Sequence, residues 1–465
     1  MDEYFLFCIS IVKRGSAMGI LKKFIPAVSM IVALMACSES SEREVAVIAP
    51  DDPAETADSG DAKNSNNNKG KDNRDTDTRD NKNSSDLQEP DNKDQNDDME
   101  VKSRACAEGD VGCIGFMSHE SWDAPMGAQV RTWALTESGL KLVESDTLDK
   151  NGMFLANTSL KGYHLVDMQY EDVSAMRWIY FSENMEVGTY VAYWSMPALG
   201  FITNNGEGVE GVTVKILDKE SKTDAAGAFE IDGLPHGVHL MNVEYQGESR
   251  TYFVQVADED DKEPFVNRID LSNGVYTLID DFENWKSGRT YTGNIIWNGG
   301  TRYYVTDSVN GGGSRYKDKY IFAHAEKFKN DDMGYCMYLN VDIDESIDDH
   351  FAMAGLTFGS DESIFKSFNM SGATGLSFEA KGTTGVLIQL LVHNADGSSE
   401  YIQSPLMELT EEWKTYTYSF EGFASRLGDV SVIHFAVIAD GQVYIDNVRL
   451  NGIKPGLWLS LGNEH

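Results

Sequence analysis

The sequence predicts an all-β protein with two small β-sandwich domains followed by a β-jelly-roll, after a disordered N-terminal tether. From about residue 114 onwards, short runs of alternating polar and apolar residues follow one another, separated by Gly, Asn and Asp. No long stretch in this part of the chain has helical periodicity. Before it, residues from Ser38 to about Arg104 include no aromatic side chain, which is typical of a segment without a core.

Residues 1–37 are predicted to be an export signal. Lys22 and Lys23 precede an apolar run from Phe24 to Met35, which is too short to span a bilayer comfortably. A complete signal peptide begins at Met18, so Met18 is a possible true start of the protein. An uncleaved membrane anchor and a plain secretory signal are the alternatives.

The end of this segment, Leu34-Met35-Ala36-Cys37, resembles the lipobox of bacterial lipoproteins. The resemblance implies cleavage before Cys37 and lipidation of its thiol, which would anchor the chain to a membrane. Ser38 follows the cysteine, as in lipoproteins sent to the outer membrane. We therefore expect a lipid-anchored protein of the bacterial cell envelope, on the outer membrane and exposed at the surface.

Residues 38–105 are predicted to form a disordered acidic linker. Asp, Asn, Lys, Ser, Gly and Thr dominate from Asp58 to Asp98, and they cannot bury enough apolar surface to offset the entropy of ordering. A flexible chain of this length has an end-to-end distance of roughly 45 Å. We interpret the linker as a spacer that lifts the folded domains off a membrane.

Charge and cysteine content limit the classes of partner. The formal net charge is −36 and no basic patch is visible, which argues against nucleic acid as a partner. An acidic chain is compatible with neutral polysaccharide and with divalent cations.

Cys106 and Cys113 are the candidate disulfide, with two free thiols as the alternative. Cys336 lies in an apolar run that predicts a buried position.

An internal repeat indicates two related domains, at residues 106–199 and 200–272. Both contain the pattern D-x-x-G-x-F, beginning at Asp149 and at Asp224, followed by a similarly spaced G-x-H-L segment. The pattern predicts a tight hairpin turn capped by Asp and closed by Gly. It resembles the carboxypeptidase-regulatory-like (transthyretin-like) β-sandwiches, which implies spacer domains without chemistry. His164 and His239 are equivalent, and we interpret them as half-exposed strand residues, with a ligand role as the alternative.

Residues 276–453 are predicted to form the jelly-roll, and residues 454–465 a tail. The domain opens with a D-D-F-E motif and closes with D-N-V-R-L, and several alternating strands lie between. The order of D-D-F-E, Y-T-G, W-K-T, S-x-I-H-F and D-N-V-R-L resembles carbohydrate-binding module family 11. That resemblance implies binding of β-glucan chains in a cleft and no catalytic activity.

The same resemblance implies the sugar-binding residues. Tyr291 matches a stacking tyrosine, Asp396 a cleft aspartate, Arg426 an arginine and His434 a histidine. Sugar rings have apolar faces that stack on aromatic rings, and their hydroxyls pair with planar polar groups. The sequence departs from the family at three places, which leaves fewer sugar-binding groups. Leu427-Gly428-Asp429 lacks the aspartate and tyrosine that follow the arginine in the family, Val437 replaces a second stacking tyrosine, and Ser431 replaces an aspartate. Replacement rings are candidates at Trp297, Tyr303, Tyr304 and Tyr401, with packing in the core as the alternative for each aromatic residue.

Asp281, Glu283 and Asp446 are candidate ligands of a structural calcium ion between the first and last strands of the jelly-roll. Calcium prefers six to eight oxygen ligands, such as carboxylates. The alternative is that Asp281 and Asp446 cap turns.

The sequence shows no G-x-S-x-G, HExxH or P-loop motif, so we predict a protein that is not an enzyme. The first hypothesis is a surface lipoprotein that binds β-glucan or cellulose-type polysaccharide, for adhesion or for glucan breakdown by other enzymes. The second is an envelope lipoprotein whose jelly-roll no longer binds sugar and which contacts other cell-surface proteins. The third is an accessory protein of a glucan-degrading system with weak hydrolase activity.

Overall fold

The computed structural model describes residues 113–464 except 119–124, 156–161, 182–187, 258–264, 285–287, 297–298, 318–321, 327–332, 360–362 and 364. The predicted signal peptide, the lipidation site Cys37 and the linker lie outside the described residues, and so do Cys106 and the side chain of Cys113. Within the described part, no helix is long and apolar enough to cross a membrane. Nearly all of the regular secondary structure in the described chain is β-strand, which confirms the all-β prediction.

The first domain is one continuous curved sheet, in the order β3-β2-β5-β6-β7-β1-β4, with β1 and β7 parallel. Its strands close around an apolar core that includes Phe116, Phe154 and Phe181. The strands are β1 (Cys113–Ser118), β2 (Gln129–Thr136), β3 (Gly139–Thr147), β4 (Met153–Leu155), β5 (Gly162–Tyr170), β6 (Val173–Phe181) and β7 (Gly188–Trp194).

The second domain is a two-sheet sandwich, with one sheet ordered β11-β10-β13-β14 and the other β12-β8-β15, to which β9 is added beside β8. Its first strand begins at Met196. The strands are β8 (Met196–Asn204), β9 (Glu207–Gly208), β10 (Thr213–Ile216), β11 (Lys219–Lys222), β12 (Ala228–Leu234), β13 (Val238–Tyr245), β14 (Glu248–Gln255) and β15 (Val266–Asp270).

The two D-x-x-G-x-F turns have the same hydrogen bonds. Asp149 Oδ1 accepts from the N–H groups two and four residues later, at 2.8 and 2.9 Å, and Asp224 Oδ1 does the same at 2.9 Å in both bonds. Gly152 and Gly227 have φ angles of 70° and 80°. Glycine reaches this left-handed region without steric cost, so the motif specifies the turn locally.

The two repeat histidines are buried, and the interpretation of half-exposed residues is wrong. His164 packs against Phe181 with ring centroids 4.8 Å apart, and its Nδ1 is 2.9 Å from the carbonyl oxygen of Gly162. His239 is fully buried, and its Nε2 is 2.7 Å from the carbonyl oxygen of Pro235. Burial lowers the pKa of His239 to about 4, so this imidazole is neutral at pH 7.

The C-terminal domain contains two facing sheets. In sheet I the order is β18-β20-β28-β23-β26, with β16 beside β28 and β19 beside β20. In sheet II the order is β17-β21-β27-β22-β29, and β24 pairs with β27 and with β25. The strands are β16 (Tyr276–Asp280), β17 (Arg302–Thr306), β18 (Arg315–Tyr316), β19 (Phe322–Glu326), β20 (Met333–Asp342), β21 (Ala352–Thr357), β22 (Phe365–Phe368), β23 (Gly375–Gly382), β24 (Leu387–His393), β25 (Ser399–Gln403), β26 (Lys414–Ser419), β27 (Val430–Val437), β28 (Gly441–Asn451) and β29 (Gly462–Glu464). Two short helices are α1 (Tyr291–Ile295) and α2 (Pro455–Ser460).

Residues 454–464 belong to the folded domain and do not form the expected tail. The indole ring of Trp458 in α2 is completely buried and stacks on Phe368, with ring centroids 4.3 Å apart. Its Nε1 donates to Oγ1 of Thr292 at 3.1 Å. The strand β29 then pairs with β22 at the edge of sheet II. One tryptophan in a short apolar segment anchors the end of the chain.

Specific contacts join the three domains. The Trp178 Nε1 of the first domain donates to the carbonyl oxygen of Val238 in the second at 2.9 Å. Tyr163 packs against Phe365 of the third domain, with ring centroids 5.5 Å apart. One apolar core runs through the contacts of all three domains.

Candidate functional site

The face of sheet II that points away from the main core, here called the outer face, carries a row of polar and aromatic residues. The pairing register places them side by side on neighbouring strands, in the order Tyr303, Gly355, His434, Gln389 and Gln403. Residues alternate between the two faces of a strand, so their neighbours Ala354, Ile433 and Phe435 point into the main core. The outer face thus brings together groups from five strands.

Tyr303 at one end of this row reaches His434 in its middle. A Cβ atom at Gly355 would lie 2.3 Å from Cε1 and 2.4 Å from Cζ of Tyr303, so the ring of Tyr303 extends across Gly355. The Tyr303 hydroxyl is hydrogen-bonded to Nε2 of His434, and the two rings are close to perpendicular at 78°. Tyr303 is half-buried. The glycine therefore lets the tyrosine lie over the sheet while the histidine holds its hydroxyl.

Tyr401 lies on the other side of His434, with ring centroids 5.5 Å apart. Beside them, Gln389 Nε2 donates to Oε1 of Gln403 at 2.9 Å. Gln389 is half-buried and Gln403 is exposed. Two aromatic rings therefore border the imidazole, and a pair of planar amides lies in the same row. An amide can both donate to and accept from a hydroxyl.

The row of His434 and the two rows beside it, which contain Ala436 and Val432 on the same strand, are here called the central rows of the outer face. These three rows are uncharged. They carry Tyr, Gln, Thr, Gly and apolar side chains, and His434 is their one titratable group besides the tyrosines. Burial lowers the pKa of His434 to about 3, so its imidazole is neutral at pH 7. On a chain with a net charge of −36, this neutral face suits an uncharged partner.

Tyr291 and His434, which the resemblance implies as sugar contacts, are buried. Tyr291 lies in α1 with 2% of its surface exposed. Its hydroxyl donates to Asp281 Oδ2 at 2.9 Å, and its ring stacks on Phe253 of the second domain. Tyr291 therefore does not offer a ring face to solvent and serves the domain contact. The ring of His434 is fully buried, and its Nε2 is hydrogen-bonded to the hydroxyl of the half-buried Tyr303.

Asp396 and Arg426 are solvent-exposed near the β24–β25 hairpin. Asp396 Oδ1 accepts from the N–H and the hydroxyl of Ser398, at 2.9 and 2.6 Å, and so caps the turn. Arg426 Nη2 lies 2.7 Å from Oε2 of Glu400 on β25. Trp297 lies outside the described residues. The structure thus places Tyr303 and Tyr401 with His434 and places Tyr291 elsewhere.

Each of the three calcium candidates accepts a hydrogen bond from a protein donor. Tyr291 donates to Asp281, the Tyr335 N–H donates to Glu283 Oε1 at 3.0 Å, and the Asn447 N–H donates to Asp446 Oδ1. No group of three or more His, Cys, Asp or Glu side chains within the described ranges could hold a metal ion. Asp281 also accepts from the Glu283 N–H at 3.3 Å, as the alternative of turn capping expects, whereas Asp446 lies within strand β28.

The sequence interpretation missed Gly355, Gln389 and Gln403. Their strands were recognisable from alternation, but the pairing of β21 and β24 with β27 was not. It also missed the buried pair of Arg302 and Asp280, in which Nε and Nη2 donate to the two carboxylate oxygens at 2.7 Å each. The D-D-F-E motif at the start of the domain contains the aspartate of this pair, because Asp280 is its first residue.

No protein-family model matches the chain, and no curated protein matches it. Among solved structures, the chain is similar to a family 11 carbohydrate-binding module of a cellulosomal cellulase of Clostridium thermocellum, at 14% identity and a TM-score of 0.25, over 38% of this chain and 94% of that one. A family 11 module from Clostridium thermocellum in complex with a β-1,3-1,4-mixed-linked tetrasaccharide gives 14% identity and a TM-score of 0.24, over 38% and 95%. A family 30 carbohydrate-binding module gives 13% and 0.23, over 30% and 91%.

Proposed function

We propose that this protein is a non-catalytic, lipid-anchored protein of the bacterial cell surface that binds a β-glucan or cellulose-type polysaccharide on the outer face of sheet II. The observation that supports binding is the group of Tyr303, Gly355 and His434. It presents a tyrosine ring that lies across a glycine and is held at its hydroxyl by a buried imidazole.

This arrangement has the chemistry that sugar binding requires. The apolar C–H face of a pyranose packs against an aromatic ring, and Tyr303 and Tyr401 are two such rings on one face. Sugar hydroxyls need polar groups that both donate and accept, and Gln389 and Gln403 lie in the same row. The ring of Tyr303 is held before any ligand arrives, which lowers the entropy cost of binding.

The neutral outer face favours an uncharged glycan over an acidic one. A carboxylated or sulfated chain would meet no cation in the central rows and would be repelled by the acidic protein. Neutral glucans such as β-glucan, xyloglucan or cellulose fragments meet no such penalty.

Affinity electrophoresis of the full chain tests the proposal. Gels contain barley β-glucan, xyloglucan, xylan or no sugar, and the Tyr303→Ala and Tyr401→Ala variants run beside the wild-type chain. Tyr338→Ala is the matched control, since Tyr338 is a half-buried tyrosine of sheet I that stacks on Tyr444 with ring centroids 4.6 Å apart. We expect at least one glucan to retard the wild-type chain and the control, and to retard Tyr303→Ala and Tyr401→Ala less.

Migration that no sugar retards would contradict the proposal and favour a structural or interaction protein of the envelope. Two observations support that second candidate: Tyr291 is used in the domain contact, and Arg426 is paired with Glu400. Hydrolysis of the glucan by the pure chain would instead indicate the weak-hydrolase alternative.

The lipid anchor is a separate part of the proposal. Growth with a labelled fatty acid should label the wild-type chain and leave Cys37→Ser unlabelled, because the thiol of Cys37 is the proposed acceptor. A Cys336→Ser variant is the control, since Cys336 is buried in β20. Equal labelling of Cys37→Ser and the wild-type chain would overturn the anchor.

A further inference from the structure

His434 is a buried polar group whose second nitrogen has no described partner. Its side chain is completely buried on the outer face of sheet II, between the rings of Tyr303 and Tyr401. Nε2 is hydrogen-bonded to the Tyr303 hydroxyl, whereas Nδ1 has no hydrogen-bond partner among the described residues. Because only Nε2 has a partner, the two positions of the imidazole proton, on Nδ1 or on Nε2, differ in free energy.

Two neutral arrangements of the pair are possible. In the first, the Tyr303 hydroxyl donates to Nε2, and the proton of the imidazole is then on Nδ1, where it has no acceptor. In the second, Nε2–H donates to the phenol oxygen, and Nδ1 carries only an unused lone pair. Buried N–H groups without an acceptor are rarer in folded proteins than buried acceptors without a donor. The second arrangement therefore costs less.

The second arrangement also changes what Tyr303 can do. A phenol oxygen that accepts from Nε2–H keeps its own proton for another acceptor. Tyr303 is half-buried, whereas His434 is closed off from solvent, so the free O–H of Tyr303 is the group of the pair that can meet a ligand.

We propose that His434 is a positioning residue that donates from Nε2–H to the Tyr303 oxygen, so that Tyr303 donates its proton to an oxygen of a bound neutral glycan. This inference rests on the proposed function and adds the direction of one hydrogen bond to it. The glycan would have to offer an acceptor oxygen, such as a hydroxyl or ring oxygen, at the edge of the stacked ring.

The tautomer is measured on the wild-type full chain labelled with ¹⁵N-histidine, in long-range ¹H–¹⁵N spectra at pH 7. The His434→Gln variant assigns the signals, because those of His434 disappear from its spectrum. We expect Nε2 to carry the proton. A proton on Nδ1 would overturn the proposal, whether or not any variant folds.

Titration with a β-1,3-1,4-linked tetrasaccharide then tests the role of the proton. Tyr303→Phe keeps the ring and removes the hydroxyl, and we expect about tenfold weaker binding, the size of one hydrogen bond. His434→Leu should weaken binding about as much, and the double variant no more than either single one, since both remove the same bond. His434→Gln retains an N–H donor and should bind within about threefold of the wild-type chain.

The failures can be told apart. If the wild-type chain binds the tetrasaccharide and Tyr303→Phe binds equally well, the donor role of Tyr303 is wrong while the proposed function stands. If the wild-type chain binds none of the glycans, the proposed function and the glycan part of this inference fail together, and the spectrum still decides the positioning of the Tyr303 oxygen.

Discussion

A Cβ atom at Gly355 would lie 2.3 Å from Cε1 of Tyr303, so the position of the tyrosine ring depends on the absence of a side chain on the neighbouring strand. The two residues are directly paired in the register of β17 and β21. A single methyl group at residue 355 is therefore enough to disturb the proposed platform, although neither residue 355 nor its strand needs to contact a sugar.

We expect Gly355→Ala to displace the Tyr303 ring and to weaken retardation by glucan about as much as Tyr303→Ala. The extra methyl group should also lower the free energy of unfolding by about 1–3 kcal/mol, as overpacking does. Affinity electrophoresis and chemical denaturation measure the two effects. Gly372→Ala is the matched control, because a Cβ at Gly372 meets no atom within 4 Å. Unchanged retardation of Gly355→Ala would show that the ring position is not required for binding.

The buried ion pair of the first domain should be critical for stability. Arg131 Nη2 and Nε donate to the buried carboxylate of Asp167, which also accepts from Trp133 Nε1. Arg131→Met leaves the Asp167 carboxylate buried without a cation, and we expect a loss of about 3–5 kcal/mol in the free energy of unfolding.

Asp218 provides the control for this prediction, since it binds the same guanidinium at 2.7 Å but its side chain is 55% exposed. Asp218→Asn should lower the free energy of unfolding by no more than about 1 kcal/mol, because water screens exposed ion pairs. Similar losses for the two variants would indicate that burial does not determine the strength of this network.

Trp458 should be needed for the stability of the jelly-roll. Its indole fills the space beside Phe358 and Phe368, so Trp458→Ala leaves a cavity and should lower the free energy of unfolding by about 3–5 kcal/mol. Trp194→Ala is the control, since Trp194 is 48% exposed and the change should cost well under half as much. A small effect of Trp458→Ala would mean that residues 454–464 are dispensable for the fold.

The burial of His434 predicts a loss of stability in acid. The pKa of its imidazole is about 3 in the folded chain and 6.5 in an exposed histidine. Between pH 6.5 and 3 this histidine binds a proton in the unfolded chain but not in the folded chain. The free energy of unfolding therefore falls as the pH falls from 6.5 towards 3. The slope is about 1.4 kcal/mol per pH unit for this one residue, and the effect is absent above pH 6.5.

Chemical denaturation of the wild-type chain and His434→Gln at pH 7.0, 5.5 and 4.5 measures this contribution. The difference between the two chains should grow in favour of the variant as the pH falls. The comparison removes the effect of Asp281, whose pKa is raised to about 6 by burial and by Asp280 and which therefore acts in the opposite direction. Parallel pH profiles for the two chains would contradict the prediction.

The sequence by itself determined the all-β class and the D-x-x-G-x-F turns. These features depend on local rules: alternation defines strands, and an aspartate with a glycine three residues later specifies the turn at Asp149 and Asp224. Burial of Cys336 also followed from the apolar residues around it.

Only the tertiary structure decided which aromatic residues are available at the surface. Tyr291 was expected to stack on sugar, but Phe253 of another domain covers it, and no local pattern encodes a contact between residues so far apart. In the same way, Tyr303 and His434 are 131 residues apart in the sequence and meet because β21 lies between their strands. Alternation tells which residues share a face of a strand, whereas long-range strand pairing decides which strands are neighbours and which face is left open.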